Sequence, residues 1–390
     1  MKRFCSLFLV LMVFAAPCRA AEIVASKYGA IPDDGLDDTA GLNQAFSACS
    51  KNGDRLLVPP GIYLVTGPLD WQSSVVVHVA ASPQAIFDVR FAPGAAGSVI
   101  TWGAKDGTPR LTFGRFDGPT IRHQGPGGKK WDDDLTALTV RNVAEAEVRW
   151  GDIRDFRTGL RLRADGLNGL VAYSTFHKSK ISGCKEALAL STDGTGWANR
   201  LTFQSIFFGG PALYTDEGTA VAPFTVSTVR LAPSAPGPGT TDALKGYSVL
   251  LKSGTGEGQK RLIVSYTDTR IATVSPDWTT VPDGKTTYSI LPRPAPYDAA
   301  AFIVLPKVPR SPPSGWVFRD CNFEIGDATN MVLLQGSNLQ WSTFDQCWFE
   351  ATKGRLKIKM DPWLDYFQRV VVRGGVPFSV DWDSRILVVP

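Results

Sequence analysis

The chain has 390 residues, of which 41 are basic and 37 acidic, so its formal net charge at pH 7 is +4. This near-neutral balance argues against the basic face that nucleic-acid binding requires, and we expect no nucleic-acid partner. The 6 cysteines and 3 histidines have neither the density of a disulfide scaffold nor the spacing of metal ligands. We therefore expect Cys49, Cys184, Cys321 and Cys347 to be buried packing residues, and no metal site among the cysteines and histidines.

The first twenty residues have the organisation of a secretory signal peptide. Lys2 and Arg3 form a basic start, residues 4–16 are apolar, and Cys18 and Ala20 supply small residues for a cleavage site. No later segment is long and apolar enough to span a membrane. The pattern therefore predicts a secreted or periplasmic protein that has no membrane partner.

An N-terminal helix follows the predicted signal peptide. Over residues 37–49 the apolar side chains recur at roughly helical spacing: Ala40, Leu42, Ala45, Phe46 and Cys49. Asp38 or Thr39 can cap the start of this helix, and Gly53 follows its end.

Short motifs surround the predicted helix: Tyr28-Gly29-Ala30, Asp37-Asp38-Thr39 and Val58-Pro59-Pro60-Gly61-Ile62-Tyr63. In this order and spacing they resemble the opening of the pectate-lyase-like superfamily of right-handed parallel β-helices. The resemblance implies an all-β fold, a single-stranded parallel β-helix whose open N-terminal end is covered by the helix. The superfamily includes lyases, hydrolases, epimerases and phage tailspikes, so the resemblance alone does not decide the chemistry.

Internal repetition supports the same fold without reference to any family. Five segments begin and end with apolar residues five positions apart: Val148–Ile153, Phe176–Ile181, Phe203–Phe208, Phe318–Phe323 and Phe344–Phe349. Their starts recur about every 27 residues apart from one interval of about 115, and a second apolar strand follows in most of them. This period is typical of one coil of a parallel β-helix. The alternative fold with many short strands is a β-sandwich, which would not keep a constant separation between equivalent apolar residues.

The long interval predicts an insertion. Glycine, proline and alternating apolar residues between positions 216 and 292 indicate a compact antiparallel β-module, similar to small modules of phage particle and tail proteins. The predicted organisation is a signal peptide at 1–20, β-helix at 21–215, the inserted module at 216–292 and β-helix again at 293–390.

Two carboxylates form the first candidate active site. Glu324 and Glu350 each follow the inward apolar residue of their segment, so strand alternation points both outward on adjacent coils. Two carboxyl groups about 5 Å apart suit a retaining glycosidase, and their repulsion would raise the pKa of one of them. The alternative is a pair of solvated surface residues that share a cation such as Arg319 or Lys353.

A second row of outward side chains is predicted after the first apolar residue of each segment: Arg149, His177, Gln204, Arg319 and Asp345. In a lyase or a uronate epimerase, one of these outward arginine or histidine side chains could lie near the abstracted proton, while arginine or lysine neutralises the uronate carboxylate. The alternative is a mixed surface row in which Arg319 simply pairs with Asp345.

Two further groups are candidates for substrate binding. Asp152 and Asp155 belong to a charged cluster, although aspartate at a coil corner is commonly structural. Lys129, Lys130 and Trp131 lie in a glycine-rich loop, where the tryptophan suits stacking on a sugar and a plain surface loop is the alternative. Two aspartate-rich strings, at residues 33–38 and 132–134, could bind calcium, but the first fits the helix-capping element better, and we predict no cofactor.

The sequence thus predicts a secreted polysaccharide-degrading enzyme of lyase or glycosidase type, with the polymer in a surface groove of the β-helix. Motifs of the polygalacturonase branch and the pectate lyase calcium site are not recognisable. The competing hypotheses are a non-catalytic carbohydrate-binding or tailspike-like rod, for which a homotrimer is expected, and a uronate epimerase.

Overall fold

The computed structural model describes residues 20–92, 94–106, 108, 110–123, 134–166, 169–193, 195–210, 217–237, 241–242, 244–291, 301–305, 313–325, 332–336, 339–351, 356–360, 371–374, 380–381 and 387–389. Within these ranges the chain winds into successive coils, and a typical coil contributes one strand to each of three long parallel sheets. Residues 1–19 of the predicted signal peptide and the loop with Lys129, Lys130 and Trp131 lie outside the described residues.

The first sheet has eleven described strands: Glu22–Val24, Arg55–Val58, His78–Ala81, Arg115–Asp117, Glu147–Arg149, Thr175–His177, Thr202–Gln204, Val317–Arg319, Thr343–Asp345, Val371–Arg373 and Leu387–Val389. The second has eight: Gly61–Val65, Ala85–Val89, Thr120–His123, Asp152–Arg154, Lys180–Ser182, Phe207–Gly209, Asn322–Ile325 and Trp348–Ala351.

The third sheet has nine described strands: Leu69–Ser73, Ala96–Ala104, Asp134–Arg141, Thr158–Ala164, Glu186–Thr192, Ala301–Val304, Val332–Gly336, Leu356–Met360 and Val380–Asp381. A short fourth sheet lies between the third and first sheets along the chain: Leu111–Thr112, Val143–Ala144, Leu170–Ala172 and Trp197–Asn199.

The core consists of inward side chains that stack from coil to coil. Phe176, Phe203, Phe318 and Phe344 occupy equivalent positions of the first sheet, and their neighbouring ring centroids lie 5.0, 4.7 and 4.8 Å apart. The phenylalanines that end three of the predicted segments stack in the second sheet: Phe208, Phe323 and Phe349. Each such ring stabilises the fold by about 1.5–3 kcal/mol through burial, so the repeated phenylalanines fix the register between coils.

Two kinds of corner join the strands, and both contain residues in the left-handed conformation. Between the first and second sheets lie Lys178, Ser205, Asp320 and Gln346, with φ between 50° and 53°. Between the fourth and first sheets, Tyr173 at φ 52° is followed by buried Ser174, whose hydroxyl accepts a hydrogen bond from the Ala146 N–H. The corners are thus held by the backbone and by small polar side chains.

The cap helix spans Thr39–Ala48 and buries Leu42, Ala45 and Phe46. One detail of the prediction was wrong: Ala40 is exposed, and Gly41 faces the core instead, where a Cβ would lie 2.4 Å from the backbone nitrogen of Ala30. Asp38 is the N-cap residue, as predicted, but its side chain makes no capping hydrogen bond. The carboxylate of Asp37 accepts the hydrogen bond from the Thr39 N–H.

The aspartates before the helix attach the cap to the strand Gly61–Val65. Asp33 accepts a hydrogen bond from the Ile62 N–H, and Asp38 accepts one from the Leu64 N–H at 2.9 Å. These carboxylates therefore have a structural role in the described fold, and among the described residues no group of three metal-binding side chains occurs.

Burial of Asp38 has a consequence for the pH dependence of stability. Desolvation raises its pKa to about 6, the Leu64 and Ile31 N–H groups oppose the rise, and the charges of Asp34 and Asp37 add to it. Because this folded-state pKa exceeds the ordinary value of 3.8, the folded chain binds the proton more tightly than the unfolded chain does. The stabilising contribution of the protonated group is complete below about pH 4 and is lost as the pH rises through about 6.

We therefore expect Asp38→Asn to raise the Tm relative to the unsubstituted chain at pH 7, and to raise it much less at pH 4. Thermal unfolding of both chains at pH 4, 5, 6 and 7 measures the difference. The same substitution at exposed Asp268 is the control, because its charge is not among the causes of the raised pKa of Asp38. A Tm difference for Asp38→Asn that does not change with pH would contradict this explanation.

The insertion is an antiparallel sheet of seven described strands: Glu217–Thr219, Val221–Phe224, Thr228–Arg230, Ser248–Ser253, Lys260–Tyr266, Ile271–Ser275 and Thr287–Leu291. It has its own hydrophobic core, which includes Val249, Ile263 and Tyr288. Along the chain it falls between Phe207–Gly209 of the second sheet and Ala301–Val304 of the third. The insertion therefore interrupts a single coil, directly before the coil that carries Glu324.

The four cysteines outside the predicted signal peptide are buried and free, as predicted: Cys49, Cys184, Cys321 and Cys347. In the described part of the chain, no helix combines the length and the apolar character that crossing a membrane demands.

Candidate functional site

The structure places Glu324 directly opposite Glu350 on adjacent strands of the second sheet. The preceding residues, Phe323 and Phe349, are buried and their rings stack at 5.2 Å. Strand alternation therefore turns both carboxylates outward, where Glu324 is half-buried and Glu350 is exposed. Since neighbouring strands lie about 4.8 Å apart, the two carboxylates are neighbours on one outer face.

An exposed tryptophan lies beside this pair. Trp348 is two residues before Glu350 on the same face of the strand, and its side chain is 48% exposed. Its indole Nε1 donates a hydrogen bond to Oε2 of Glu350 at 3.0 Å. The carboxylate is thus oriented by a ring that also offers a flat face to solvent.

The same outer face continues across the neighbouring coils as two rows. Trp348 is aligned with Asn322, then with Phe207 and Lys180, whose ammonium lies 5.0 Å from the centroid of the Phe207 ring. The row of Glu350 and Glu324 continues to Gly209, where a Cβ would lie only 2.6 Å from the Phe207 ring. An aromatic row therefore runs beside the carboxylate row, and we call these two rows the second-sheet site.

Asp152 belongs to the aromatic row, two coils before Phe207. Its carboxylate pairs with Arg154, lies 4.0 Å from the Lys180 ammonium and accepts a hydrogen bond from Ser182. Asp155 instead occupies a corner with φ 69°, and a Cβ at Gly183 would lie 2.5 Å from its carboxylate. The structure therefore places Asp152 on the face of the second-sheet site and Asp155 in a turn.

The row predicted on the first sheet is present as a line of outward side chains. Gln204 is aligned with His177 on one side and with Arg319 on the other, and Arg319 is aligned with Asp345. Arg319 pairs with Asp345 at 3.2 Å, and Arg149 pairs with Asp117. Both arginines are thus already engaged by carboxylates, which is the arrangement of a mixed surface row.

His177 differs from these pairs because its charge is disfavoured. Burial lowers its pKa, the Glu147 carboxylate opposes this change, and the charges of Arg149 and Lys178 lower the pKa further. The imidazole is therefore neutral at pH 7, and Lys178 is exposed at the next position of the chain. A neutral imidazole beside cations has the elements needed to remove a proton from an acidic sugar.

A cleft of about 560 Å³ lies elsewhere, on the early coils of the third sheet. Its lining includes Pro68, Asp70, Gln72, Phe91 and Thr101. Asp70 is the only carboxylate among its lining residues. The cleft therefore lacks a carboxylate pair, and the second-sheet site remains the better candidate for acid–base chemistry.

Sequence reasoning identified the two glutamates and missed Trp348 and Phe207. A signal for Trp348 was available, because residues 348 and 350 have the same parity in a strand and must share a face. A signal for Phe207 was also available, because it directly precedes Phe208, the buried apolar residue that ends its segment.

Comparisons with known proteins bear on the fold. No protein-family model matches the chain, and no curated protein matches it. Among solved structures, ORF18 of Geobacillus virus E2 is similar with a TM-score of 0.51 at 12% identity, over 90% of this chain and 53% of the viral one. The chain thus spans about half the length of that protein.

Two other solved structures are similar at lower scores. The Streptococcus pneumoniae surface protein and adhesin PfbA has a TM-score of 0.41 at 11% identity, over 94% of this chain and 86% of the adhesin. An alginate lyase from Paenibacillus has a TM-score of 0.39 at 8% identity, over 94% of this chain and 99% of the lyase. Likeness at such identities concerns the fold alone. The likeness to the viral protein and the parallel sheets together confirm the predicted fold, and the chain is a right-handed parallel β-helix with an N-terminal cap helix and an inserted antiparallel sheet.

Proposed function

We propose that this protein is a polysaccharide-degrading enzyme that hydrolyses glycosidic bonds with Glu324 and Glu350. The observation that carries the proposal is their direct alignment on one outer face, with the Trp348 ring beside them. Retaining glycosidases hold two carboxyl groups about 5–5.5 Å apart, close to the spacing of about 4.8 Å between parallel strands.

The geometry favours a double-displacement reaction. Glu350, oriented by Trp348, attacks the anomeric carbon, while Glu324 donates a proton to the leaving oxygen as the glycosidic bond breaks. A water molecule, deprotonated by Glu324, then cleaves the glycosyl–Glu350 ester and restores both carboxyl groups. Each proton returns to its donor over one cycle, so no cofactor is required.

The aromatic row supplies a surface for the polymer. Sugar rings present C–H faces that pack on flat aromatic rings, and Trp348 and Phe207 lie on the same row two coils apart. Lys180 and Asp152 extend this row with charged groups that can bind substituents of the sugars. We therefore propose that the polymer lies along the axis of the β-helix, across the carboxylate pair.

Removing the Trp348 ring tests this arrangement. We expect Trp348→Leu to raise KM about tenfold, because the stacking surface is lost, and to lower kcat as well, because Glu350 loses the hydrogen bond that orients it. Trp197→Leu is the matched control, since Trp197 is 52% exposed on the fourth sheet, away from the glutamates. Equal kinetics for the two variants would contradict a role for Trp348.

Digestion of a panel of acidic and neutral polysaccharides tests the proposed function. Reducing ends and ultraviolet absorbance are measured on the same samples. New reducing ends without absorbance are expected, since hydrolysis leaves saturated sugars. Retained binding without any product would contradict the enzyme and support the non-catalytic carbohydrate-binding rod.

We infer a second candidate function, uronate elimination or epimerisation at His177. The specific observation in its favour is the neutral imidazole flanked by Arg149 and Lys178. In elimination, His177 would take the proton beside the uronate carboxylate while the Lys178 ammonium neutralises that carboxylate, since Arg149 is already paired with Asp117. Unsaturated products that absorb in the ultraviolet, lost on His177→Asn and kept on Glu350→Gln, would establish this function in place of hydrolysis.

A further inference from the structure

A row of residues with positive φ runs along the corner between the fourth and first sheets. It contains one residue from each of six successive coils, and we call it the corner strip: Phe113, Glu145, Tyr173, Arg200, Gly315 and Trp341. Backbone hydrogen bonds link the coils here, for example from the Tyr173 N–H to the Asn199 carbonyl and from the Arg200 N–H to the Ser314 carbonyl. At about 4.8 Å per coil, the strip is about 24 Å long and parallel to the axis of the β-helix.

The three rings of the corner strip are strongly exposed. Phe113 is 67% exposed, Tyr173 is 55% exposed and Trp341 is 49% exposed. Large aromatic side chains gain stability when they are buried, so their exposure at three equivalent positions contributes little to folding.

The backbone at these positions also disfavours aromatic residues. Phe113, Tyr173 and Trp341 have φ of 60°, 52° and 52°, the left-handed conformation that glycine and asparagine adopt most easily. Gly315 shows that glycine is accepted in the same corner. At the corner between the first and second sheets, the described residues with positive φ are polar or glycine: Lys178, Ser205, Asp320, Gln346 and Gly374. Among the described residues, every aromatic one with positive φ belongs to the corner strip.

Buried serine side chains hold this corner from the inside at two of the three ring positions. Buried Ser174 and Ser342 follow Tyr173 and Trp341, and their hydroxyls accept hydrogen bonds from the N–H groups of Ala146 and Trp316 at 3.1 and 3.0 Å. Each hydroxyl donates to a carbonyl of its own turn. The corner is thus stabilised from inside, while strained and exposed rings are retained outside, a combination typical of a binding surface.

We propose that the corner strip is a second binding site for a linear polysaccharide, separate from the second-sheet site. This inference takes its ligand class from the proposed function. The corner strip is straight. Its aromatic rings are separated by whole multiples of the distance between successive coils, and polar side chains lie between the rings. Exposed Glu145 lies between Phe113 and Tyr173, and the guanidinium of Arg200 lies 5.4 Å from the Tyr173 ring. A linear polymer with apolar ring faces and polar edges matches this alternation.

The corner strip lies where the strands of the first sheet begin, and the second-sheet site lies beyond the corner where these strands end. In one coil the order is Tyr173 at the corner, the strand Thr175–His177, the second corner at Lys178, and then Lys180 of the aromatic row. A polymer bound at the corner strip therefore leaves the carboxylates uncovered. The strip would keep the enzyme on its polymer while another segment is cleaved.

Replacing the three aromatic residues of the corner strip by asparagine tests polymer binding without lowering the stability of the fold. Asparagine removes the ring and suits the left-handed backbone, so the triple variant Phe113→Asn, Tyr173→Asn and Trp341→Asn is expected to keep or raise its Tm. Its affinity for polymer should fall about tenfold to a hundredfold, from the loss of three stacking surfaces. Gln346→Asn makes the same replacement at the other corner and is the matched control, with unchanged binding.

Affinity electrophoresis in gels that contain polygalacturonate, alginate or dextran measures the binding. All chains carry Glu324→Gln and Glu350→Gln, so the polymer in the gel is not cleaved by the proposed active site. The binding measurement therefore does not depend on whether the proposed hydrolysis is correct. Because the second-sheet site is present in all of these chains, retardation that is weaker in the triple variant alone supports the proposal. The proposal is overturned by equal retardation of variant and control, by retardation in none of the gels, or by light scattering that shows the rings holding a second copy of the chain.

Discussion

Replacing Glu324 or Glu350 by glutamine is expected to lower kcat for polymer hydrolysis about a thousandfold. Each substitution removes a group that must donate or accept a proton or attack the sugar, and it preserves the size of the side chain. Both residues lie on the outer face, so the Tm should change little. Initial rates and thermal unfolding of the same preparations give both quantities.

The matched control is Glu257→Gln, an equally conservative change at an exposed turn of the inserted sheet. It should leave kcat and the Tm unchanged. If Glu324→Gln and Glu350→Gln also retained full activity, the glutamates would be solvated surface residues, as the alternative hypothesis holds. A large loss of activity that accompanies a large fall in Tm would point to a structural role instead.

Gly103→Ala is expected to destabilise the β-helix strongly. Gly103 has φ of 138°, and a Cβ there would lie 1.9 Å from the carbonyl oxygen of Arg141 on the adjacent strand. Arg141 is the ladder partner of Gly103, so it cannot move away without breaking the sheet. We expect the free energy of unfolding to fall by about 3 kcal/mol or more, measured by urea denaturation.

Gly97→Ala distinguishes the two causes of this destabilisation, which are the contact of the added Cβ with Arg141 and the left-handed backbone conformation. Gly97 belongs to the same strand and has φ of 102°, but a Cβ there would have no neighbour within 4 Å. It should therefore show only the cost of the left-handed backbone, about 1 kcal/mol. Equal losses for the two variants would mean that the contact with Arg141 is relieved by movement of the strand.

Much of the fold could be predicted because the later coils keep a nearly constant length. Phe318 and Phe344, then Phe323 and Phe349, mark the same inward positions one period apart, and this fixes the alignment of Glu324 with Glu350. The earlier coils were not recognised from the repeat. Their inward residues, Leu56, Val79 and Phe116, are separated by loops of unequal length, which hides the period.

The environment of the glutamates could be predicted only in part. Strand parity shows that Trp348 shares a face with Glu350, but the hydrogen bond between them depends on a rotamer that sequence does not encode. The corner strip was hidden for a different reason. Phe113, Tyr173 and Trp341 look like core residues in a linear pattern, and only the left-handed backbone turns them outward.

The alignment of Glu324 with Glu350 at the strand spacing makes a stereochemical claim, and proton NMR of the first sugar released tests it most directly. Carboxylates this close leave no room for a water between them, so the product should keep the anomeric configuration of the substrate and change slowly by mutarotation. Inversion in the first spectra would contradict the double displacement, and signals of an unsaturated ring would assign the chemistry to His177 instead.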